Sequence, residues 1–253
     1  MLKTYIHKSL EEKKILLMTH IVIGYPSLEA SYDIVKTMVA AGVDLMELQI
    51  PFSEPIADGP VILSANQESL GNGISVKECL AFSKQVAADF DIPFLMMTYY
   101  NILFKYGVTG FVDQMAANRL HGAIVPDLPY EEGQAYLTAM GAKNLAPIFI
   151  FAPTTSDARM QKIASYANGF IYCVARKGVT GQQTDFSTQL EDYMQRCRNA
   201  SDLPLALGFG VKDRADIDFL TGIADIAVIG TQTIRVVDEQ GVNAVGEFIS
   251  GLR

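Results

Sequence analysis

The chain has 253 residues, 49% of them apolar, and a formal charge of −8 from 20 basic and 28 acidic side chains. That is enough chain to bury a full core, and its acidic balance excludes nucleic acid or an anionic membrane surface as the main partner, because both reward clustered Lys and Arg. Its three cysteines, Cys79, Cys173 and Cys197, form no CxxC pair and suit a reducing cytoplasm better than a disulfide framework.

In chain order, the charged opening MLKTYIHKSLEEKK reads as a short surface helix. The run ILLMTHIVIG after it holds a histidine and stops at Gly24-Tyr25-Pro26, so it is neither a signal peptide nor a membrane span. From there short apolar runs alternate with longer stretches of helical period. Strands are expected near 16–23, 44–50, 93–98, 122–125, 145–150, 169–174, 204–208 and 225–229. Helices are expected near 28–41, 75–89, 108–119, 131–141, 156–166, 188–199, 213–221 and 242–251. In the first of these, Ile34, Val35, Met38 and Val39 form the stripe of a helix that covers a sheet. The strand runs are apolar on both faces, as parallel strands buried on both sides are. Eight strand–helix pairs are the arithmetic of a (β/α)8 barrel, with a doubly wound open sheet as the competitor. No Pro/Gly/Ser-rich linker divides the chain, so residues 1–253 are expected to form one domain.

In such a barrel the chemistry sits where strands end and the following loops begin. Residues 45–60, LMELQIPFSEPIADGP, are one such place. Glu47 lies late in the second strand, where an unpaired carboxylate is costly to bury, and Asp58 follows in a loop stiffened by Pro51 and Pro55. Two carboxylates on different mounts facing one cavity suit acid–base work. The plainer reading pairs Glu47 with a nearby Lys or Arg and makes Asp58 a turn or cap residue. Glycines close the seventh strand (Leu207-Gly208-Phe209-Gly210) and the eighth (Ile229-Gly230-Thr231), at the two loops that form the common phosphate site of this fold. Residues 230–237 would supply its short extra helix; tight turns alone are the other reading, and GFGVKD fails GxGxxG because Asp213 occupies the last glycine position. The polar, glycine-hinged loop 175–185 after the sixth strand is either a lid or an exposed loop without function. His7, His20 and His121 are scattered without metal-ligand spacing, so no metal centre is expected.

LMELQIPFSEPIADGP, TYYNILFKYG, IVPDLP, LAPIFIFAPTT, YCVARKGVTG, GFGV and VIGTQTI, in this order over nearly the whole chain, resemble the α subunits of tryptophan synthase. The resemblance implies a single TIM barrel with an extra N-terminal helix and a short phosphate-binding helix after the eighth strand. It implies a lyase of tryptophan biosynthesis that cleaves indole-3-glycerol phosphate by retro-aldol chemistry to indole and glyceraldehyde 3-phosphate, without a cofactor in this chain. Glu47 matches the family's general acid/base, and Asp58 the aspartate that accepts the indole N–H. Tyr172 matches a pocket tyrosine; Tyr99 and Asp127 match positions at the indole site or the subunit boundary. Gly181, Phe209, Gly210, Gly230 and Thr231 match the phosphate cradle, with Thr231 in place of serine. Thr180 lies in the mobile sixth loop, where a threonine helps order Asp58. The implied partner is a β subunit that carries pyridoxal phosphate, in an α2β2 heterotetramer in the cytoplasm.

Three further residues depart from the family pattern. Gln49 stands where the family has glycine, on the same side of the strand as Glu47, where it could bond that carboxylate or intrude on the substrate. Glu54 replaces an aspartate, and His20 stands where an aromatic pocket wall is usual, either as a satisfied buried histidine or as an extra polar contact to indole. These departures leave a second reading open, a catalytically weakened chain that mainly binds and activates the β subunit. A third is another phosphate-binding barrel enzyme, such as an isomerase of tryptophan or histidine synthesis.

Overall fold

The computed structural model describes residues 2–175 and 183–253. Eight parallel strands close on themselves in sequence order: β1 (Leu16–Val22), β2 (Leu45–Gln49), β3 (Phe94–Met97), β4 (Gly122–Ile124), β5 (Ala146–Phe151), β6 (Ile171–Val174), β7 (Leu205–Gly208) and β8 (Ile226–Ile229). Closure is made by β8 against β1, with Leu16 opposite Ile226 and Thr19 opposite Ile229. The helices are α1 (Leu2–Glu12), α2 (Leu28–Ala40), α3 (Pro60–Gly71), α4 (Val76–Asp89), α5 (Tyr100–Tyr106) and α6 (Val108–Ala117) in the first half. In the second half they are α7 (Gln134–Ala142), α8 (Asp157–Ala164), α9 (Gln183–Ala200), α10 (Arg214–Leu220), α11 (Thr231–Gln240) and α12 (Ala244–Gly251). The closed barrel excludes the open sheet, and none of the described helices is long and apolar enough to cross a membrane.

The strand pleat sorts side chains into two cores. Met46, Leu48, Phe94 and Met96 point outward and pack under the helices in the larger cluster, joined by Ile34, Val35 and Met38 of α2. Leu16, Met18, Leu45, Leu95, Ile148, Ala206 and Ile226 point inward and fill the barrel. Gly122 is needed for this closeness: a Cβ there would meet the Ala146 carbonyl oxygen at 2.3 Å.

Three features differ from the expectations of the sequence. The N-terminal helix keeps an exposed outer face but is more than a surface element, because its Leu2 and Ile6 are buried in the inner cluster with Leu16 and Phe170. Its charged face made it read as peripheral. Below the barrel Asp44 binds it to the wall, accepting hydrogen bonds from the Leu17 N–H (2.8 Å), Lys13 and Arg253 while its carbonyl accepts from Tyr5. Two helices were also not foreseen. Pro60 and Gly59 favour a helix start at α3, yet its buried face is built partly from Asn66 and Ser69, so no apolar stripe announces it. The short α5 is separated from α6 by Gly107 at φ 96°. Asp213, out of place as a glycine of a nucleotide motif, caps α10 by accepting from the Asp216 N–H.

Candidate active site

The carboxyl ends of the strands surround a cavity of about 820 Å³. Met97, Ile124, Ile150 and Val228 form an apolar wall, and His20, Glu47, Asp58 and Tyr172 supply the polar groups. Glu47 faces inward on β2, opposite His20 on β1 in the strand register. Its partner is this histidine, not a Lys or Arg: His20 Nδ1 and Glu47 Oε2 are 3.2 Å apart, and both side chains are buried. Burial alone would push the imidazole down, but the hydrogen bond and charge of Glu47, together with the charge of Asp58, hold it above the ordinary histidine value. Glu47 Oε1 and His20 Nε2 have no protein partner. A buried, half-satisfied pair lining a cavity is an arrangement for exchanging protons with a bound molecule.

Asp58 neither caps α3 nor serves only as a turn. The helix N-cap is Gly59, without a side-chain cap, and the Asp58 carboxylate instead accepts two hydrogen bonds on Oδ2, from Gln49 Nε2 (2.7 Å) and the Tyr99 hydroxyl (3.2 Å). Tyr99 also accepts from the Ala57 N–H at 3.1 Å and stacks on Phe52, with ring centroids 4.9 Å apart. Burial first, then the charge of Asp58, raises the Tyr99 phenol, so it stays a donor. Gln49 neither bonds Glu47 nor intrudes on the substrate space. Its amide N–H groups reach Asp58 and, at 3.4 Å, Asn66 Oδ1, and it is absent from the cavity wall. Glu54 is exposed.

Tyr172 projects from β6 over Gly208 of β7, where a Cβ would lie 3.1 Å from its ring and 3.4 Å from its hydroxyl. Burial, then the charges of Glu47 and Asp58, lifts its phenol well above the ordinary value, so it remains protonated. Gly208, Gly210, Gly230 and Thr231 line the same cavity. Gly230 is the N-cap of α11 and offers no side-chain cap, so that helix begins at the cavity wall without a side chain of its own over its first turn. His20 backs this glycine, with its Cβ 3.5 Å from where a Gly230 Cβ would be.

Some expected residues lie elsewhere. The Asp127 side chain accepts from the Tyr100 N–H at 2.8 Å, at the start of α5, and lines a separate small cleft. Phe209 is buried against Phe219 and does not line the cavity. Tyr99 acts on the site through Asp58 without lining it. Thr180 and Gly181 fall outside the described residues. Two supporting contacts escaped the sequence reading. His20 as the partner of Glu47 needs the β1–β2 register, whereas Asn66, which accepts from the Phe52 N–H at 2.8 Å, is signalled only as an amide in an otherwise apolar helix opening.

A family model for the tryptophan synthase alpha chain matches residues 6–248. Tryptophan synthase alpha chains from Syntrophotalea carbinolica and Desulforapulum autotrophicum are 66% and 64% identical to this chain, each covering 100% of both sequences. The crystal structure of the tryptophan synthase subunit alpha of Legionella pneumophila superposes with a TM-score of 0.90 at 29% identity, covering 99% of this chain and 96% of that one. A barrel that ends in two carboxylates beside an uncapped helix terminus thus coincides with full-length likeness in sequence and in structure, and the chain belongs to the tryptophan synthase alpha chain family.

Proposed function

We propose that Glu47 and Asp58 divide between them the lyase reaction of this family, the cleavage of indole-3-glycerol phosphate to indole and glyceraldehyde 3-phosphate in tryptophan biosynthesis. The observation that carries the assignment is their convergence, from a rigid strand and a loop, on one cavity with an apolar wall. The indole ring fits between Met97, Ile124, Ile150 and Val228, and the phosphate binds at Gly210, Gly230, Thr231 and the start of α11. Asp58 Oδ1 accepts the ring N–H and favours the positively charged ring tautomer. Glu47 delivers a proton to indole C3. The hydroxyl on the adjoining carbon then loses its proton to the Glu47 carboxylate that this step leaves, and becomes the aldehyde as the carbon–carbon bond breaks. Its electrons return to the ring, so one proton enters and one leaves. Tyr172, held neutral, closes the pocket beside Glu47. Thr180 and Gly181, outside the described residues, are assigned to substrate binding by the family likeness alone; Phe209 supports the cradle from behind, and Asp127 supports α5.

No step draws on a cofactor in this chain; pyridoxal phosphate belongs to a β partner, in an α2β2 assembly in the cytoplasm. Exposed Ile56, after β2, and exposed Phe104, on α5, offer apolar surface for that partner. The position of Gln49 away from the cavity wall favours an active enzyme over a chain that serves only as an activator. The test is chromatographic measurement of indole released from indole-3-glycerol phosphate, with and without a β chain. Glu47→Gln should lose on the order of 10²–10⁴ in rate; turnover at the wild-type level would overturn the assignment.

A further inference from the structure

We infer that Gln49 is a positioning residue: from the barrel wall it holds the Asp58 carboxylate in the orientation that receives the ring N–H of the substrate, before any ligand is bound. The inference rests on the reading of Asp58 given above. Asp58 sits in the loop between β2 and α3, and a loop carboxylate left to itself samples many orientations. Gln49 is the last residue of β2 and is fully buried, so its amide starts from a fixed point. The amide cannot be reversed, because its nitrogen faces two acceptors, Asp58 Oδ2 at 2.7 Å and Asn66 Oδ1 at 3.4 Å. A reversed amide would set oxygen against both. Asn66 is itself held, accepting from the Phe52 N–H at 2.8 Å and donating to the Ile62 carbonyl at 2.8 Å.

The second donor to Asp58, the Tyr99 hydroxyl, reaches the same Oδ2 at 3.2 Å. With both donors on one oxygen, the other is turned free for the ligand. Two charge-assisted hydrogen bonds from a strand and from the residue before α5 thereby set the carboxylate on its loop in advance.

The test compares two non-cleavable ligands by titration calorimetry: 3-(indol-3-yl)propyl phosphate, and the benzothiophene analogue with sulfur in place of the ring N–H. The wild type should prefer the indole, and Asp58→Ala should abolish that preference. Gln49→Met, of similar length and without the amide, should reduce it about tenfold, the smaller effect expected for a hydrogen bond to a charged group. Benzothiophene affinity should stay unchanged, which also reports that the pocket is folded. Gln49→Gly, which removes the amide without crowding, should match Gln49→Met. The double variant Gln49→Met/Asp58→Ala should bind both ligands as Asp58→Ala does. Full indole preference in both Gln49 variants, with that of Asp58→Ala lost, overturns the role of Gln49 and leaves that of Asp58 standing. Indole preference that survives Asp58→Ala overturns both.

Discussion

The buried pair His20–Glu47 should cost the fold stability, and replacing both members should show it. Glu47 Oε2 has one partner, His20 Nδ1 at 3.2 Å, while Glu47 Oε1 and His20 Nε2 have none. Removing His20 alone as His20→Phe strands a buried carboxylate, a loss of about 3–5 kcal/mol. Removing Glu47 alone as Glu47→Met costs less, about 1–3 kcal/mol, because the imidazole can shed its proton and leaves only neutral unpaired nitrogens. Removing both leaves apolar groups of similar size on adjacent strands, which is neutral or stabilising by about 1–4 kcal/mol. At roughly 2–4 °C per kcal/mol for a chain of this size, His20→Phe should melt about 6–20 °C below the wild type. The double variant should melt at or above it. Thermal melts of the four proteins by circular dichroism decide the matter, and neither Glu47 variant should release indole at more than a trace. A double variant that melts as low as the sum of the two single losses would refute the reasoning, since the two side chains would then act independently.

The same pair gives stability a pH dependence. The folded-state value of His20 lies above its ordinary one, so this contribution is fully present below the ordinary histidine value and is lost as pH rises through the folded-state value. The melting-point advantage of the wild type over His20→Gln should therefore shrink as pH rises above the ordinary histidine value of about 6.5; an advantage that stays flat contradicts the assignment. Gly208→Ala places a methyl group 3.1 Å from the Tyr172 ring. It should raise KM for indole-3-glycerol phosphate severalfold while shifting the melting point by only a few degrees, as steady-state kinetics and a melt of the same sample would show.

The barrel itself was legible because each strand is buried on both sides and therefore writes an uninterrupted apolar run. Glu47 stood out for the same reason, as the charge that such a run should not contain. What could not be read were contacts between segments far apart in sequence. Nothing in LLMTHIV says that His20 lies opposite Glu47; that follows from the register of β1 against β2. The direction of Gln49 was misjudged because the strand fixes only its Cα–Cβ bond, while Asp58 and Asn66 decide where its amide points. The N-terminal helix looked peripheral because its two buried side chains, Leu2 and Ile6, are outnumbered by charges on its outer face. Helix α3 was hidden by burying amide and hydroxyl groups where a stripe of leucines would have marked it.

The closing seam of the barrel also has a consequence for how the chain comes to be folded. Each neighbouring pair of strands is joined by a local crossover except β8 and β1, where Leu16 meets Ile226 across 210 positions of sequence (226 − 16). Until that late meeting β1 keeps an open edge, and the interior that Leu2 and Ile6 cover is incomplete. An emerging chain therefore carries a strand with one sticky, unpaired edge through almost the whole of its synthesis. The hazard of aggregation is set by how quickly the last strand arrives, and no gain in the stability of the finished barrel shortens that wait.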